Sequence, residues 1–412
     1  MKSAWLLLGL AACGDDPLDI PEVRSALARD TSPAVSDATL AALVDGNTEL
    51  AVAMYRDVAD EPGNLFMSPH SVSTALAMTY AGANGTTASQ MASALHFTLP
   101  PAELHPALDR LDLELASRGA NATSGTIPFR LENANAIFGQ SGWTFLAPFL
   151  DTLAVNYGAG LRVLDFQADP ESSRLTINDW VEARTNNKIR DLLPAGSIDD
   201  TTRLVLANAI YFSAAWDEPF EVSETSDRPF LVGGQTVNVP TLHGSHERGY
   251  GEGDGFRAAE LPYDGGELSM VVVVPDDLAA FEASLDAARL DAITQSLTTH
   301  QLDLTLPKFR FDAPLGLKDT LMHLGMTDAF SSEADFSGID GSRQLAIKDV
   351  LHKGFVAIDE NGTEAAAATA VIVGDTSAPE PATLHVDKPF VFFIRDRPTG
   401  AILFIGRVVD PR

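Results

Sequence analysis

Nine histidines, one cysteine and 57 carboxylates are the side chains that could do chemistry here, and their spacing decides whether they do. The histidines stand at positions 70, 96, 105, 243, 246, 300, 323, 352 and 385. His243 and His246 are three apart, but no zinc-type ligand set surrounds them, and they read as solvated loop residues. Gly249, Gly251, Gly253 and Gly255 make a stretch rich enough in glycine to cradle a phosphate. Glu252 and Asp254 within it would repel one, and no Lys or Ser/Thr sits where a phosphate loop needs it. That stretch reads as a turn. There is no Gly-x-Ser-x-Gly elbow, and the Asp/Glu pairs are too many and too diffuse to nominate as acid–base catalysts. Asn84, Asn121 and Asn361 open sequons by pattern alone. No catalysis, metal or cofactor is expected.

Cys13, the single cysteine, excludes a disulfide framework and any zinc site built on cysteines. Its setting carries more information than its count. Lys2 precedes an apolar run from Ala4 to Ala12, too short for a membrane span of about 20 residues but suited to an export signal. Leu10-Ala11-Ala12-Cys13 resembles the lipobox of bacterial lipoproteins, in which the cysteine is lipidated and becomes the mature N-terminus. The expectation is therefore a signal peptide over 1–12, a tether over 13–38 carrying Pro17, Pro21 and Pro33, and a single folded unit over 39–412. The chain is expected to be exported and anchored in the bacterial envelope by lipid alone.

Charge narrows the partners. Lys and Arg number 28 against 57 acidic residues, a net −29 that becomes 27 − 57 = −30 once Lys2 is removed. With 45% hydrophobic residues the chain can bury a core, so it is no disordered acidic tail. It lacks any cluster of five basic residues, which argues against nucleic acid or heparin as a partner.

The elements that must position any site are mixed. Ser36 caps a predicted helix through Leu40, Leu43, Leu50, Val52 and Met54. Ser71 to Tyr80 and Ala88 to Leu95 read as helices broken apart between Gly82 and Gly85. Asp169, with Pro170 in the first turn, opens a helix expected to reach Leu193, where Pro194 and Gly196 would end it. Strands are predicted over Leu204 to Phe212, Leu268 to Val274, Leu302 to Phe311, Phe355 to Ile358, Phe390 to Arg395 and Ala401 to Val408. Leu268 to Val274 is almost wholly apolar, as in a strand buried on both faces. Helices early and strands late indicate an α+β fold.

Residues 362–374 fit neither class. Their alanines favour helix, yet Thr363, Thr369, Val371, Ile372 and Val373 are β-branched and favour extended chain. No aliphatic side chain larger than alanine occurs from Thr363 to Ala370, so the stretch cannot anchor itself in a core. Extended, it would carry Thr363, Ala365, Ala367, Thr369, Val371 and Val373 on one face and Glu364, Ala366, Ala368, Ala370, Ile372 and Gly374 on the other. The first face is small or β-branched and uncharged until Asp375. Such a segment can rest in water at little cost and can also enter a sheet without burying a charge.

Its surroundings resemble the serpin family. Asn64 to Pro69 with Ser71 and Ala75 to Met78, Asn208 to Phe212 with Trp216 and Phe220, and Leu306 to Phe309 follow the family pattern. So do Leu324 to Met326, Ala334 to Ile339, His352-Lys353, Glu360 to Thr369 and Asp387 to Phe390, all in family order. The resemblance implies three β-sheets, eight or nine helices and an exposed reactive loop over about 360–386. It also implies a monomeric inhibitor of serine, sometimes cysteine, proteases. The target cleaves the loop, forms an acyl-enzyme and is distorted as the loop joins the central sheet; strand insertion of this kind releases stored strain. The small inward face favours inhibition over the alternative of a non-inhibitory binding or folding factor, because a buried uncompensated charge costs several kcal/mol.

By the same resemblance the hinge comprises Glu360, Gly362, Thr363, Glu364, Ala365, Ala366, Ala367, Ala368 and Thr369. Ser68, Ser71, Asn208 and His352 correspond to the polar cluster, or shutter, beneath the strands that part. Trp216, Lys308 and Glu360 correspond to the breach at the top of the sheet, with the ion pair expected to be exposed and weak, about 0–1 kcal/mol. Counting forward from Glu360 places the reactive bond at Thr376-Ser377, suiting an elastase- or subtilisin-like target. Counting back from Lys388 gives Ala378-Pro379, a bond that proline protects. Cleavage after Asp375 would instead direct the protein to an aspartate-specific protease.

Overall fold

The computed structural model describes Leu18 and residues 20–123, 129–363 and 379–412. The chain opens with β1 (Glu22–Val23), α1 (Asp37–Val58), β2 (Leu65–Met67), α2 (Pro69–Tyr80), α3 (Gly85–Ala94) and α4 (Pro101–Ala116). Next come β3 (Arg130–Gln140), α5 (Ala147–Tyr157), β4 (Leu161–Leu164), α6 (Pro170–Arg184) and β5 (Leu204–Ala215). A strand-rich run follows: β6 (Ser226–Val232), β7 (Gln235–Gly253), β8 (Phe256–Pro262) and β9 (Leu268–Pro275). Two helices, α7 (Leu278–Ala283) and α8 (Ala287–Ser296), lead to β10 (Thr298–Pro307) and β11 (Phe309–Gly316). The chain ends with α9 (Lys318–His323), α10 (Ser337–Asp340), β12 (Val350–Asp359), β13 (Gly362–Thr363), β14 (Pro381–His385), β15 (Phe390–Asp396) and β16 (Ile402–Val408).

Among the described residues these strands form two hydrogen-bonded networks. The central sheet has the order β1-β4-β3-β5-β13-β12-β11, and a second network runs β14-β10-β7-β8-β9-β15-β16-β2, with β6 on β7. The expected third sheet merges with the second through β7, 19 residues long, which pairs successively with β6, β10 and β8. Every residue of α2 is buried behind the central sheet, where Ser68 caps the helix and Pro69 occupies its first turn. All eight residues of β9 are buried too, as the apolar run implied. On the opposite face of the central sheet, α6 closes a smaller core that includes Phe138, Phe166, Ile177, Trp180, Ala207 and Phe355.

Four expectations change. The helix after Asp169 ends at Arg184, nine residues before Leu193, because Asn186 and Asn187 take left-handed conformations, φ 51° and 59°. The run from Leu302 to Phe311 is two strands in different networks, divided at Lys308, whose N–H bonds Pro240 O instead. Gly249 to Gly253 is strand, with the turn confined to Asp254 and Gly255. Glycine is needed there for space: a Cβ on Gly251 would lie 2.2 Å from Ser296 Oγ. Finally, the tether does not extend to residue 38. Ile20 is buried in the smaller core, Glu22 and Val23 pair with Arg162 and Leu161, and Pro21 contributes only its carbonyl to Val163 N–H. An edge strand tolerates proline beside it for that reason. Arg29 continues the attachment through Asp109, fully buried, at 2.7 Å and Asp112 at 2.6 Å.

Candidate functional site

The strands flanking the hinge diverge along the central sheet. β5 and β12 are parallel neighbours from Leu206/Val350 to Ile210/Gly354. Higher up, the next registered partners of both belong to β13: Thr363 faces Ala214 and Ile358, and Gly362 faces Ala215 and Asp359. Glycine is required at 362, because a Cβ would sit 2.1 Å from Ala214 O. Thr363 is 2% exposed and its side chain points inward, Oγ1 lying 2.7 Å from Tyr263 Oη. Tyr263 in turn stacks on Trp216, centroids 4.7 Å apart, and Trp216 Nε1 donates to Asp359 O at 3.0 Å. The two-residue alternation deduced for the inward face thus starts in phase.

Glu360 ties the top of this arrangement together. Its carboxylate accepts from Lys308 Nζ at 2.7 Å and from Thr225 Oγ1 at 2.9 Å, while its carbonyl accepts from Phe220 N–H at 2.7 Å. Burial opposes its ionisation, but the hydrogen bonds from Lys308 and Thr225 outweigh it, and the pKa falls below the usual carboxylate value. The pair is therefore not the exposed, weak one expected. Glu360 is only 6% exposed, so losing Lys308 would strand a buried charge.

Lower down, Ser68, Ser71, Asn208 and His352 are joined in one buried network. Ser68 N–H donates to His352 Nε2 at 3.0 Å, which leaves the proton on Nδ1 to bond Asn208 Oδ1 at 2.5 Å. Asn208 Nδ2 donates to Ser71 Oγ at 2.8 Å and Asn135 Oδ1 at 2.7 Å. Ser68 Oγ donates to Leu403 O and accepts from Ser71 N–H, coupling the cluster to β16 and to the start of α2. His352 and Asn208 stand directly opposite each other in the β12/β5 register, so their bond crosses the closed part of the gap. Two members were missed from the sequence. Asn133 and Asn135 lie on β3, and the alternation Asn133-Ala134-Asn135-Ala136 that puts both on one face was the available signal.

Burial lowers the His352 pKa from 6.5 to about 4, keeping the ring neutral as this bonding demands. The unfolded chain binds the proton near pH 6.5 and the folded chain only near pH 4, so this stabilisation is complete above the first value and is lost toward the second. For His352 alone the loss is about 3 kcal/mol. His105, lowered to about 4 by burial, acts in the same direction. The urea midpoint is expected to fall markedly from about pH 7 to about pH 4.5; an unchanged midpoint would contradict the assignment.

The remaining expected site residues, Glu364, Ala365, Ala366, Ala367, Ala368, Thr369, Asp375, Thr376, Ser377 and Cys13, lie outside the described residues. His243 is not free in a loop but sits on β7 between Asp303 and Glu224, and His246 stands 3.4 Å from Glu218. Among the described residues no His, Cys, Asp and Glu group of metal-binding kind forms.

A family model described as "Serpin (serine protease inhibitor)" matches residues 45–411. Leukocyte elastase inhibitor of Bos taurus is 39% identical over 379 residues, covering 89% of this chain and 98% of that protein. An uncharacterized serpin-like protein of Thermococcus kodakarensis is 39% identical over 365 residues, covering 87% and 83%. Among solved structures, human thyroxine-binding globulin complexed with thyroxine aligns with a TM-score of 0.81 at 30% identity, covering 90% of this chain and 99% of that one.

Proposed function

The chain belongs to the serpin family, and on that premise we propose that it inhibits serine-type endopeptidases as a suicide substrate. Family membership alone does not choose this role, since one relative is named for inhibiting elastase and another for binding thyroxine. The observation that favours inhibition is Thr363, placed between β5 and β12 with its side chain inward. Continuing that register residue by residue sets Ala365 level with Phe212 and Val356, Ala367 with Ile210 and Gly354, and Thr369 with Asn208 and His352. No charge would be buried on the way, and the first on that face, Asp375, would arrive level with Thr202, before the start of β5.

In this reading the protease serine attacks the Thr376 carbonyl. The Thr376–Ser377 peptide bond breaks, an ester to the protease forms, and Ser377 leaves as a free amine that takes up the proton. Residues from Glu364 onward then add to the central sheet before water cleaves the ester. Thr369 would replace the His352–Asn208 contact with a hydroxyl able to bond either side. The lipobox-like Cys13 supports export and lipid anchoring. Ile20 and Pro21 lie beside Val163 and the start of β5, the end of the sheet opposite β13. An anchor there would hold the hinge end away from the membrane.

A panel of elastase- and subtilisin-like proteases tests the function. An SDS-stable complex at near one-to-one consumption is expected; complete loop cleavage with full recovery of protease activity would overturn it. Cleavage after Asp375 would redirect the specificity without changing the mechanism.

A further inference from the structure

The lower end of the gap carries a feature that neither the hinge nor the buried network uses. In a chain with 57 acidic residues against 28 basic ones, a concavity lined by cations and no carboxylate runs against composition. One such concavity, of about 280 Å³, is lined by Thr201, Arg203, Lys318, Phe330, Gln344 and Lys348 together with small and apolar neighbours. Two of its cations are held in place without a carboxylate partner among the described residues. Arg203 donates to the carbonyls of Asp200 and Thr202 and lies over the Trp143 ring. Lys318 donates to Lys348 O at 3.3 Å and lies 5.7 Å from the Phe330 ring centre. Lys348 does have a carboxylate partner, Asp199 at 2.6 Å, and also approaches Thr202 Oγ1. Arg203 immediately precedes β5 and Lys348 stands two residues before β12, so the concavity bridges the feet of the two strands.

We propose that this concavity binds a phosphate-type anion, and that the bound anion ties the foot of β5 to the foot of β12. A planar guanidinium with two ammonium groups suits the oxygens of such a group, through charge-assisted bonds. Admitting a strand between β5 and β12 requires their feet to part by about 4.8 Å, one strand spacing. An anion held from both sides binds the closed foot better than the parted one, and therefore favours the closed state. The continued register brings Val373 level with Lys348, so the anion acts on the last steps of insertion. The binding stands on the concavity alone; the clamping rests on the inhibitory reading.

Calorimetry of the full chain with sodium pyrophosphate, against sodium chloride at equal ionic strength, tests the binding. Saturable one-to-one binding is expected, weakened about tenfold or more in Arg203→Gln and in Lys318→Gln. Phosphatidylglycerol vesicles form a second arm: vesicle binding lost in the same variants assigns a lipid headgroup, and pyrophosphate binding alone assigns a free phosphate ligand. No saturable binding in either arm, or binding that survives both substitutions, overturns the site. The clamp is read from a synthetic peptide of sequence 363–375 annealing into the uncleaved protein. Pyrophosphate should slow annealing several-fold. Annealing at an unchanged rate overturns the clamp while leaving the site. A peptide that never anneals, with or without pyrophosphate, overturns the insertion reading and the clamp with it, and the calorimetry then decides the site alone.

Discussion

Thr363→Arg is expected to turn the protein from an inhibitor into a substrate: the loop is still cut, but the protease escapes. Thr363 is 2% exposed, bonded to Tyr263 and flanked by β5 and β12, so a guanidinium there would have to be buried between the strands. A buried unpaired charge costs several kcal/mol. If about 3 kcal/mol of that is felt as insertion begins, the insertion rate falls about a hundredfold relative to hydrolysis of the ester. Alternation supplies the control. Glu364→Arg lies on the opposite face of an extended chain and should leave inhibition nearly intact, whereas Ala367→Arg should abolish it as Thr363→Arg does. That variant keeps Thr363 and its bond to Tyr263, and so separates the insertion step from any disturbance of that contact. Undiminished inhibition by Thr363→Arg, measured as protease trapped per inhibitor consumed, would show that the inward face does not matter.

Asn208→Ala has the second large expected effect, and it falls unequally on two states. The side chain bonds Ser71 Oγ, Asn135 Oδ1 and His352 Nδ1, all at or below 2.8 Å. Removing it leaves the buried His352 ring N–H without its partner, worth about 1–3 kcal/mol, and takes a donor from Ser71 and from half-buried Asn135 as well. The uncleaved protein should lose about 3 kcal/mol in urea unfolding and associate more readily, since the parallel β5/β12 pairing loses the His352–Asn208 link. The loop-cleaved protein should lose much less. There the continued register puts Thr369 between positions 208 and 352, and the Asn208–His352 bond is already given up. Equal losses in both states would mean that cleavage leaves the two strands paired as they are.

How much of this was legible in the sequence follows from the range of each interaction. Of the hinge face only Thr363 lies among the described residues, and it points inward as local alternation leads one to expect. Ser68 was placed only by the family resemblance, and Asn208 by that and a strand run; Asn133 and Asn135 were missed because Asn-Ala alternation puts both on one face without telling whether that face is covered. Only β5 and α2 packing on β3 draw those half-buried amides into the network. The same holds for Glu360. The resemblance paired it with Lys308, but nothing in its neighbours announces that Phe220 and Thr225 close over it as well. The segment after Cys13 was misread because composition sees three prolines. It cannot see that Arg29 will meet Asp109, 80 residues away, or that β4 offers an open edge.

The central claim is that the loop is cut, esterified and inserted before it can be released. The mass of the product formed with an elastase- or subtilisin-like protease measures this most directly. One covalent species is expected, the intact protease plus the inhibitor lacking residues 377–412, with a free peptide beginning at Ser377. Uncomplexed protease of unchanged mass and activity beside fully cleaved inhibitor would contradict it.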